Sequence, residues 1–253
     1  MVHIVGAGCG APDLITLRGK KYLETADVII YAGSLVNKEL LQYAKPGCEI
    51  YDSAKMTLEE ITDAVSAAEE RGLTTVRLHT GDPSLYGAIG EQMREFNRLG
   101  IEYDITPGVS SFSGAAAALK TEYTLPDVSQ TVIISRAAGK TPVPDKENLK
   151  SLAAHGATMV LFLSTGLLDK VTSDLIAGGY LPDTPAAIIY KASWEDEKVC
   201  RCTVATLKQT ADENRITKTA LITVGDFLES DFTRSHLYDP GFSTEFREAK
   251  NDR

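Results

Sequence analysis

Apolar and polar positions follow two different periodicities along the first half of the chain. Short apolar, β-branched runs at Val2–Val5, Val28–Tyr31, Thr74–Leu78 and Glu102–Ile105 predict buried strands. Between them lie segments with apolar residues at helical spacing, of which Met56–Arg71 is the clearest. Strands and helices alternate in this way up to about residue 120, and this order predicts a parallel, wound sheet.

A glycine turn follows the third of these strands and organises the rest of the half. The strand runs into Gly81-Asp82-Pro83, after which Leu85 and three further apolar residues recur at helical spacing. We therefore predict a strand, a tight turn and a helix capped by Ser84. Thr106–Ser111 repeats this arrangement before a helix predicted at Phe112–Lys120. Open α/β folds bind ligands at the edge of the sheet where such turns lie.

The second half has a different order of elements. A linker-like segment at Thr121–Ser129 precedes a renewed pattern in which strands outnumber helices, and this predicts a mixed sheet. The expectation is thus a two-domain α/β protein, with residues 1–122 in the first domain, residues 123–253 in the second, and a tail from about 226. The predicted strands of the second domain are Thr131–Arg136, Ala157–Leu163, Pro185–Tyr190, Val199–Val204 and Thr219–Val224.

The composition and charge of the chain disfavour several classes of function. The 253 residues carry a net charge of −9, which disfavours nucleic acid as a partner. No apolar run approaches the roughly 18 residues of a membrane helix, so neither a membrane span nor a signal peptide is expected. The four cysteines and four histidines lack the spacing of metal ligands. We expect a cytoplasmic protein without a metal site.

The first glycine loop offers a competing interpretation. Gly6, Gly8 and Ala11 fit the dinucleotide-binding pattern G-x-G-x-x-G/A. That pattern needs an acidic residue at the end of the second strand, where this chain has Ala32-Gly33-Ser34. Pro12 also removes an N–H group where a phosphate would bind. An NAD-linked dehydrogenase, which belongs to a different class of enzyme, is therefore kept only as an alternative function.

Four motifs together resemble a known family. They are residues 5–19, 26–31, 79–87 and 106–111, and in this order and spacing they resemble the tetrapyrrole methyltransferases over roughly residues 2–240. The resemblance implies two α/β domains with a cofactor cleft between them, the first with a mostly parallel sheet and the second with a mixed sheet. It also implies S-adenosylmethionine as methyl donor, a small-molecule tetrapyrrole substrate and a homodimer.

The resemblance carries a set of cofactor-binding residues onto this chain by motif. Position 9 is usually proline in the family, and here it is cysteine. No catalytic base is assigned, because an activated methyl group needs mainly proximity and alignment to an electron-rich ring carbon. The implied cofactor-binding residues are Cys9, Thr80, Gly81, Asp82, Leu85, Tyr86, Ser110, Ser111, Leu163, Ala192 and Ala220.

Within the family, the segments Tyr31–Val36 and His79–Glu91 imply a particular substrate. This substrate is precorrin-4, methylated at C11, and its cobalt complex is favoured over the metal-free form. Relatives that act on uroporphyrinogen carry an acid just after the tyrosine of the second strand, which this chain lacks. The alternatives are another ring position, uroporphyrinogen III, diphthamide synthesis on a protein, methylation of ribosomal RNA, and binding of a tetrapyrrole without catalysis.

Overall fold

The computed structural model describes residues 1–33, 35–229 and 231–250. The chain divides into two compact units. The first contains Met1–Ala118 together with Lys191–Lys198, and the second contains Leu119–Tyr190 with the chain from Val199 onward. The predicted division after residue 122 stays a prediction. Ser34 of the Ala32-Gly33-Ser34 motif and the last three residues of the predicted tail lie outside the described residues.

The sheet of the first unit is parallel throughout, as predicted. Its strands lie in the order β3-β2-β4-β1-β5. β3 was not predicted, because its two central residues, Ile50 and Tyr51, are exposed and give no apolar run. In chain order the strands are β1 (Val2–Gly6), β2 (Val28–Tyr31), β3 (Glu49–Asp52), β4 (Thr75–His79) and β5 (Tyr103–Thr106).

Helices cover both faces of this sheet. One face buries Ile4 and Ile30 against Phe96, and the other buries Ile29 and Leu78 against Leu23. Burial on both faces explains why these strands are continuous apolar runs rather than alternating ones. The helices of the unit are α1 (Leu17–Thr25), α2 (Leu58–Glu70), α3 (Ile89–Leu99) and α4 (Ser111–Leu119).

The predicted helix start at Ser84 is wrong. α3 begins only at Ile89, and residues 80–88 form a loop. Ser84 does not cap a helix, because its N–H and its hydroxyl both donate to Oδ1 of Asp82. Tyr86 and Ala88 then adopt left-handed backbone conformations, with φ of 57° and 50°, which a helix cannot contain.

The second unit has the mixed sheet that the sequence predicts. Its strand order is β6-β7-β10-β8-β9, with β6 parallel to β7 and with β10 antiparallel to both β7 and β8. One core cluster, including Leu161, Leu175 and Ile188, joins the sheet to its helices. The strands are β6 (Val132–Arg136), β7 (Thr158–Phe162), β8 (Pro185–Tyr190), β9 (Lys198–Thr203) and β10 (Ala220–Val224), and the helices are α5 (Leu149–Ala153), α6 (Leu168–Gly178) and α7 (Leu207–Glu213).

The tail after β10 first anchors to the second unit and then folds on itself. Phe227 is buried and packs edge-on against Tyr123, with 5.2 Å between the ring centroids. Further along, Nη2 of Arg247 donates to three backbone carbonyls, those of residues 237, 239 and 242. None of the described helices combines the length and the apolar character that crossing a membrane requires.

Candidate functional site

Three loops meet where β1, β4 and β5 end at the carboxyl edge of the first sheet. The loops after β1 and β4 pair through their backbones. Gly8 N–H donates to the Gly81 carbonyl at 3.3 Å, and Gly81 N–H donates to the Gly8 carbonyl at 2.9 Å. One step earlier, Ala7 N–H donates to the His79 carbonyl at 2.7 Å. The reciprocal pair between Gly8 and Gly81 is an isolated antiparallel bridge that joins the two loops beyond the parallel strands.

Glycines allow the third loop to approach these two. A Cβ atom on Gly6 would lie 2.6 Å from Cα of Gly108 and from the carbonyl oxygen of Gly81. A Cβ atom on Gly108 would lie 2.1 Å from the same Gly81 oxygen. Only residues without side chains allow backbones to come so close. The three-loop packing thus explains glycines that sequence analysis assigned to a dinucleotide pattern or to an ordinary turn.

Asp82 connects the loop after β4 to the loop after β5. Its Oδ2 accepts a hydrogen bond from Gly108 N–H at 2.9 Å, while Oδ1 accepts from Ser84 N–H at 2.9 Å and from the Ser84 hydroxyl. Burial opposes ionisation of this carboxyl group, but these hydrogen bonds hold its pKa below the usual value. Asp82 is therefore an ionised, half-buried strut between two loops.

Two hydroxyls at the ends of β4 and β5 are buried without a partner. Oγ1 of Thr80 and Oγ1 of Thr106 have no hydrogen bond to any residue that the structure describes, and the same holds for Nε2 of His79. Burial, together with the charge of the neighbouring Arg77 guanidinium, lowers the pKa of His79 to about 3, so this imidazole is neutral at pH 7. Buried polar atoms without partners are uncommon, and at a sheet edge they are candidates to bind a ligand.

Ser110 and Ser111 lie beside Gly81. Gly81 has φ of 61°, and a Cβ atom there would lie 3.5 Å from Ser111 N and 3.6 Å from Ser111 Oγ. These are ordinary van der Waals distances, so the Gly81 backbone lies directly against Ser110 and Ser111 without a clash. Ser110 is buried, and Ser111 begins α4. The structure therefore brings together the glycine turn and the serine pair that sequence analysis assigned to one site.

Cys9 and Ala192 lie against α4 at Gly114. A Cβ atom on Gly114 would lie 2.8 Å from Cys9 Sγ and 3.4 Å from Ala192 Cβ, so both residues pack against this helix. Sequence analysis missed Ser193, whose hydroxyl accepts from Ala11 N–H at 3.0 Å and lies 3.3 Å from Cys9 Sγ. Its position in the chain gave no signal, because Lys191–Lys198 joins the first unit from far along the sequence.

Leu85 and Tyr86 stand further out on the loop after β4. Leu85 N–H donates to the Asp82 carbonyl at 3.2 Å, and the Leu85 side chain is half-buried. Tyr86 is 44% exposed and has left-handed φ. Non-glycine residues in this conformation cost roughly 1–2 kcal/mol each. Strain of this kind is concentrated at functional sites, which supports a role for the loop.

The remaining two candidates belong to the second unit. Leu163 directly follows β7, and Ala220 begins β10. β10 is antiparallel to β7, with Ile222 paired to Leu161, so β10 begins at the end of the sheet where β7 finishes. Leu163 has φ of 52° and is 64% exposed, an unusual combination for an apolar residue. Both candidates therefore lie at one edge of the second sheet.

The candidate residues of the first unit offer polar groups to a ligand. Within the described chain, no three His, Cys, Asp or Glu side chains form a group that would bind a metal ion. The candidate residues of this unit include one carboxylate, that of Asp82, and no cation. Together with the buried Thr80 hydroxyl, they fit the sulfonium and the hydroxyl groups of S-adenosylmethionine.

Comparison with known proteins decides the family. The model of the family described as tetrapyrrole (corrin/porphyrin) methylases matches residues 1–208. The chain belongs to this family. The predicted tetrapyrrole methyltransferase and its α/β fold are thereby confirmed, and the chain is a methyltransferase.

Individual relatives of this tetrapyrrole methylase cover nearly its whole length. A protein of Methanocaldococcus jannaschii named cobalt-precorrin-4 C(11)-methyltransferase is 54% identical over 249 residues, which are 98% of this chain and 96% of that protein. A precorrin-4 C(11)-methyltransferase of Mycobacterium tuberculosis is 46% identical, covering 94% of this chain and 95% of that protein. A solved structure of a cobalamin biosynthetic enzyme, cobalt precorrin-4 methyltransferase, superposes with a TM-score of 0.88 at 47% identity, covering 90% of this chain and 96% of that one.

Proposed function

We propose that this protein transfers a methyl group from S-adenosylmethionine to C11 of precorrin-4, in the cobalt form, within cobalamin biosynthesis. The observation that carries the proposal is the 54% identity, over 98% of the chain, to a relative named for this reaction on the cobalt substrate. The Mycobacterium tuberculosis relative, at 46% identity, is named for the reaction without cobalt, and the cobalt form is proposed because the relative at 54% identity is named for it.

The methyl donor would bind at the carboxyl edge of the first sheet. In this proposal the Thr80–Asp82 turn and Ser110–Ser111 offer backbone and hydroxyl groups, while Cys9, Leu85 and Ala192 contribute packing surface. Tyr86 would line the same loop. The family resemblance also implies Leu163 and Ala220, which lie at one edge of the second sheet, as cofactor-binding residues. Three interlocked glycines and the Asp82 strut support this placement, because they fix the loops before any ligand arrives.

The chemistry requires little from the side chains. S-adenosylmethionine supplies an activated methyl group on a sulfonium. The task of the chain is then to bind both molecules, to align them and to exclude water. The neutral His79 and the ionised Asp82 fit this task, since neither adds a positive charge beside a sulfonium.

The assembly and the compartment are proposed as well. We infer a homodimer, because the tail exposes several large apolar side chains, and symmetric dimers are the commonest way to bury such a surface. We infer the cytoplasm because all four cysteines are free thiols, as is usual in a reducing compartment.

A labelling experiment tests the reaction directly. The purified protein is incubated with isotopically labelled S-adenosylmethionine and with precorrin-4 or its cobalt complex. One added methyl group by mass, placed at C11 by carbon NMR, is the expected result. Label at C2, C7 or C17 would contradict the proposal. So would labelling of uroporphyrinogen III with none on either form of precorrin-4.

A further inference from the structure

The carboxylate of Asp52 lies directly against the loop that follows β2. A Cβ atom on Gly33 would lie 1.8 Å from Asp52 Oδ1 and 2.5 Å from Oδ2. The two residues come from neighbouring parallel strands, since Tyr31 at the end of β2 is paired with Asp52 at the end of β3. Gly33 therefore lacks a side chain where a carboxylate from the next strand already fills the space.

One oxygen of this carboxylate has no partner among the residues that the structure describes. Oδ1 accepts a hydrogen bond from Ala54 N–H at 3.0 Å and so caps a single 3-10 turn. Oδ2 has neither a hydrogen bond nor an ion pair with any described residue, although Asp52 is half-buried. Serine, threonine or asparagine would cap the turn equally well. The cap thus explains the position of Asp52 but not its charge.

Asp52 lies at the same edge of the sheet as the loops proposed to bind the methyl donor. Those loops follow β4, β1 and β5, whereas Gly33 and Asp52 follow β2 and β3, on the other side of β4. The methyl donor would occupy the part of the edge at the ends of β4, β1 and β5. The part at the ends of β2 and β3 remains for the methyl acceptor. This placement of the methyl acceptor rests on the proposed function.

We propose that the Asp52 carboxylate faces the methyl-accepting macrocycle and stabilises positive charge on it. When a ring carbon forms the new C–C bond with its own π electron pair, the C–S electron pair stays on sulfur. The ring then gains one positive charge, the sulfur becomes neutral, and no proton moves. A fixed carboxylate beside the ring favours this charge as it develops, and it does so whether or not the ring carries cobalt.

The Asp52→Asn variant tests the role of the charge while keeping the cap. The expected result is a kcat lowered about tenfold or more, with the KM for precorrin-4 changed little, because the charge develops only in the transition state. Glu49→Gln is the matched control. Glu49 lies at the opposite end of the same strand and commits its oxygens to Arg71 and Tyr51, so this variant should keep the wild-type kcat. Wild-type kcat in Asp52→Asn, or an equal loss in Glu49→Gln, would overturn the proposal.

Relocating the carboxylate gives a second test. The double variant Gly33→Asp, Asp52→Ser moves the charge to the neighbouring loop, keeps a capping residue at 52 and removes the overlap at 33. Recovery of kcat above that of Asp52→Asn is expected. A folded double variant, verified by circular dichroism, that stays as slow as Asp52→Asn would overturn the electrostatic role.

A spectroscopic measurement is independent of methyl transfer. The visible absorption band of the bound macrocycle, recorded without methyl donor, should differ in position between the wild type and Asp52→Asn but not between the wild type and Glu49→Gln. Identical bands in all three proteins would overturn the contact. If the wild type instead methylates another tetrapyrrole and neither form of precorrin-4, the proposed function fails, and the same variants then test Asp52 on that tetrapyrrole.

Discussion

Asp82 accepts a hydrogen bond from the backbone N–H of Gly108 at 2.9 Å, across 26 residues of sequence. The other carboxylate oxygen receives the N–H of Ser84. An asparagine has only one acceptor oxygen. In Asp82→Asn the side-chain NH2 group would therefore face the N–H of either Gly108 or Ser84, and that hydrogen bond would be lost. We expect the free energy of unfolding to fall by about 1–3 kcal/mol and the affinity for adenosylhomocysteine to fall about tenfold or more.

Urea unfolding and calorimetric titration measure these two effects. Ser84→Ala is the matched control on the same loop, because it removes only the exposed hydroxyl contact to Asp82 and should leave both quantities close to wild type. An Asp82→Asn variant with wild-type stability and affinity would show that the strut is unimportant.

A second prediction concerns Gly81. Valine at this position would adopt a strained left-handed backbone, with φ of 61°, and its side chain would pack against Ser110 and Ser111. Gly100 has nearly the same conformation, with φ of 69°, but faces open space at the end of α3. Both Gly81→Val and Gly100→Val should therefore lose similar stability, roughly 1–2 kcal/mol. Only Gly81→Val should lose binding of adenosylhomocysteine by calorimetry, and equal affinities in the two variants would remove Gly81 from the site.

A third prediction follows from the buried His79. Its pKa is about 3 in the folded chain, compared with 6.5 as the ordinary value. Below pH 6.5 the unfolded chain binds a proton that the folded chain does not, so the free energy of unfolding decreases as the pH falls towards 3. At pH 5 the His79 imidazole alone should lower the free energy of unfolding by about 2 kcal/mol. Urea unfolding at pH 7 and pH 5 should show that His79→Leu lacks this component, and the same pH dependence in variant and wild type would contradict it.

The fourth prediction concerns assembly. The tail exposes Leu237, Tyr238 and Phe246 by 65%, 71% and 90%. Light scattering at micromolar concentration should give twice the 27.3 kDa mass of the chain. If the tail takes part in the interface, Leu237→Ser should weaken the dimer. Leu181→Ser, which changes a leucine that is 66% exposed elsewhere in the second unit, should not. A monomeric wild type would refute the dimer.

Local patterns in the sequence were sufficient for most of the framework. β2 and β8 have the predicted bounds, and the parallel first sheet and the mixed second sheet follow from the order of apolar runs. A strand that is buried on both faces has consecutive apolar residues, so its burial can be predicted from the sequence. The four motifs, in their order and spacing, were together enough to identify the family. They were not enough to show which contacts hold the loops together.

Those contacts depend on which strands become neighbours. Gly6, Gly81 and Gly108 meet because β1 lies between β4 and β5, and no local periodicity encodes that order. The late start of α3 has the same origin. Residues 85–88 fit a helical pattern, yet hydrogen bonds to Asp82 and two left-handed residues keep them in a loop.

The position of Asp52 against Gly33 was also decided only by the tertiary structure. In the sequence, Asp52 ends a half-exposed segment that was not predicted as a strand, and Gly33 stands out only as part of Ala32-Gly33-Ser34, which lacks an acid after β2. Pairing of β2 with β3 brings the two together. The sequence thus determined the strands and the glycine turns, because burial and backbone freedom are properties of single residues and their neighbours. Folding alone determined which carboxylate meets which loop, because that depends on the lateral order of strands far apart in the chain.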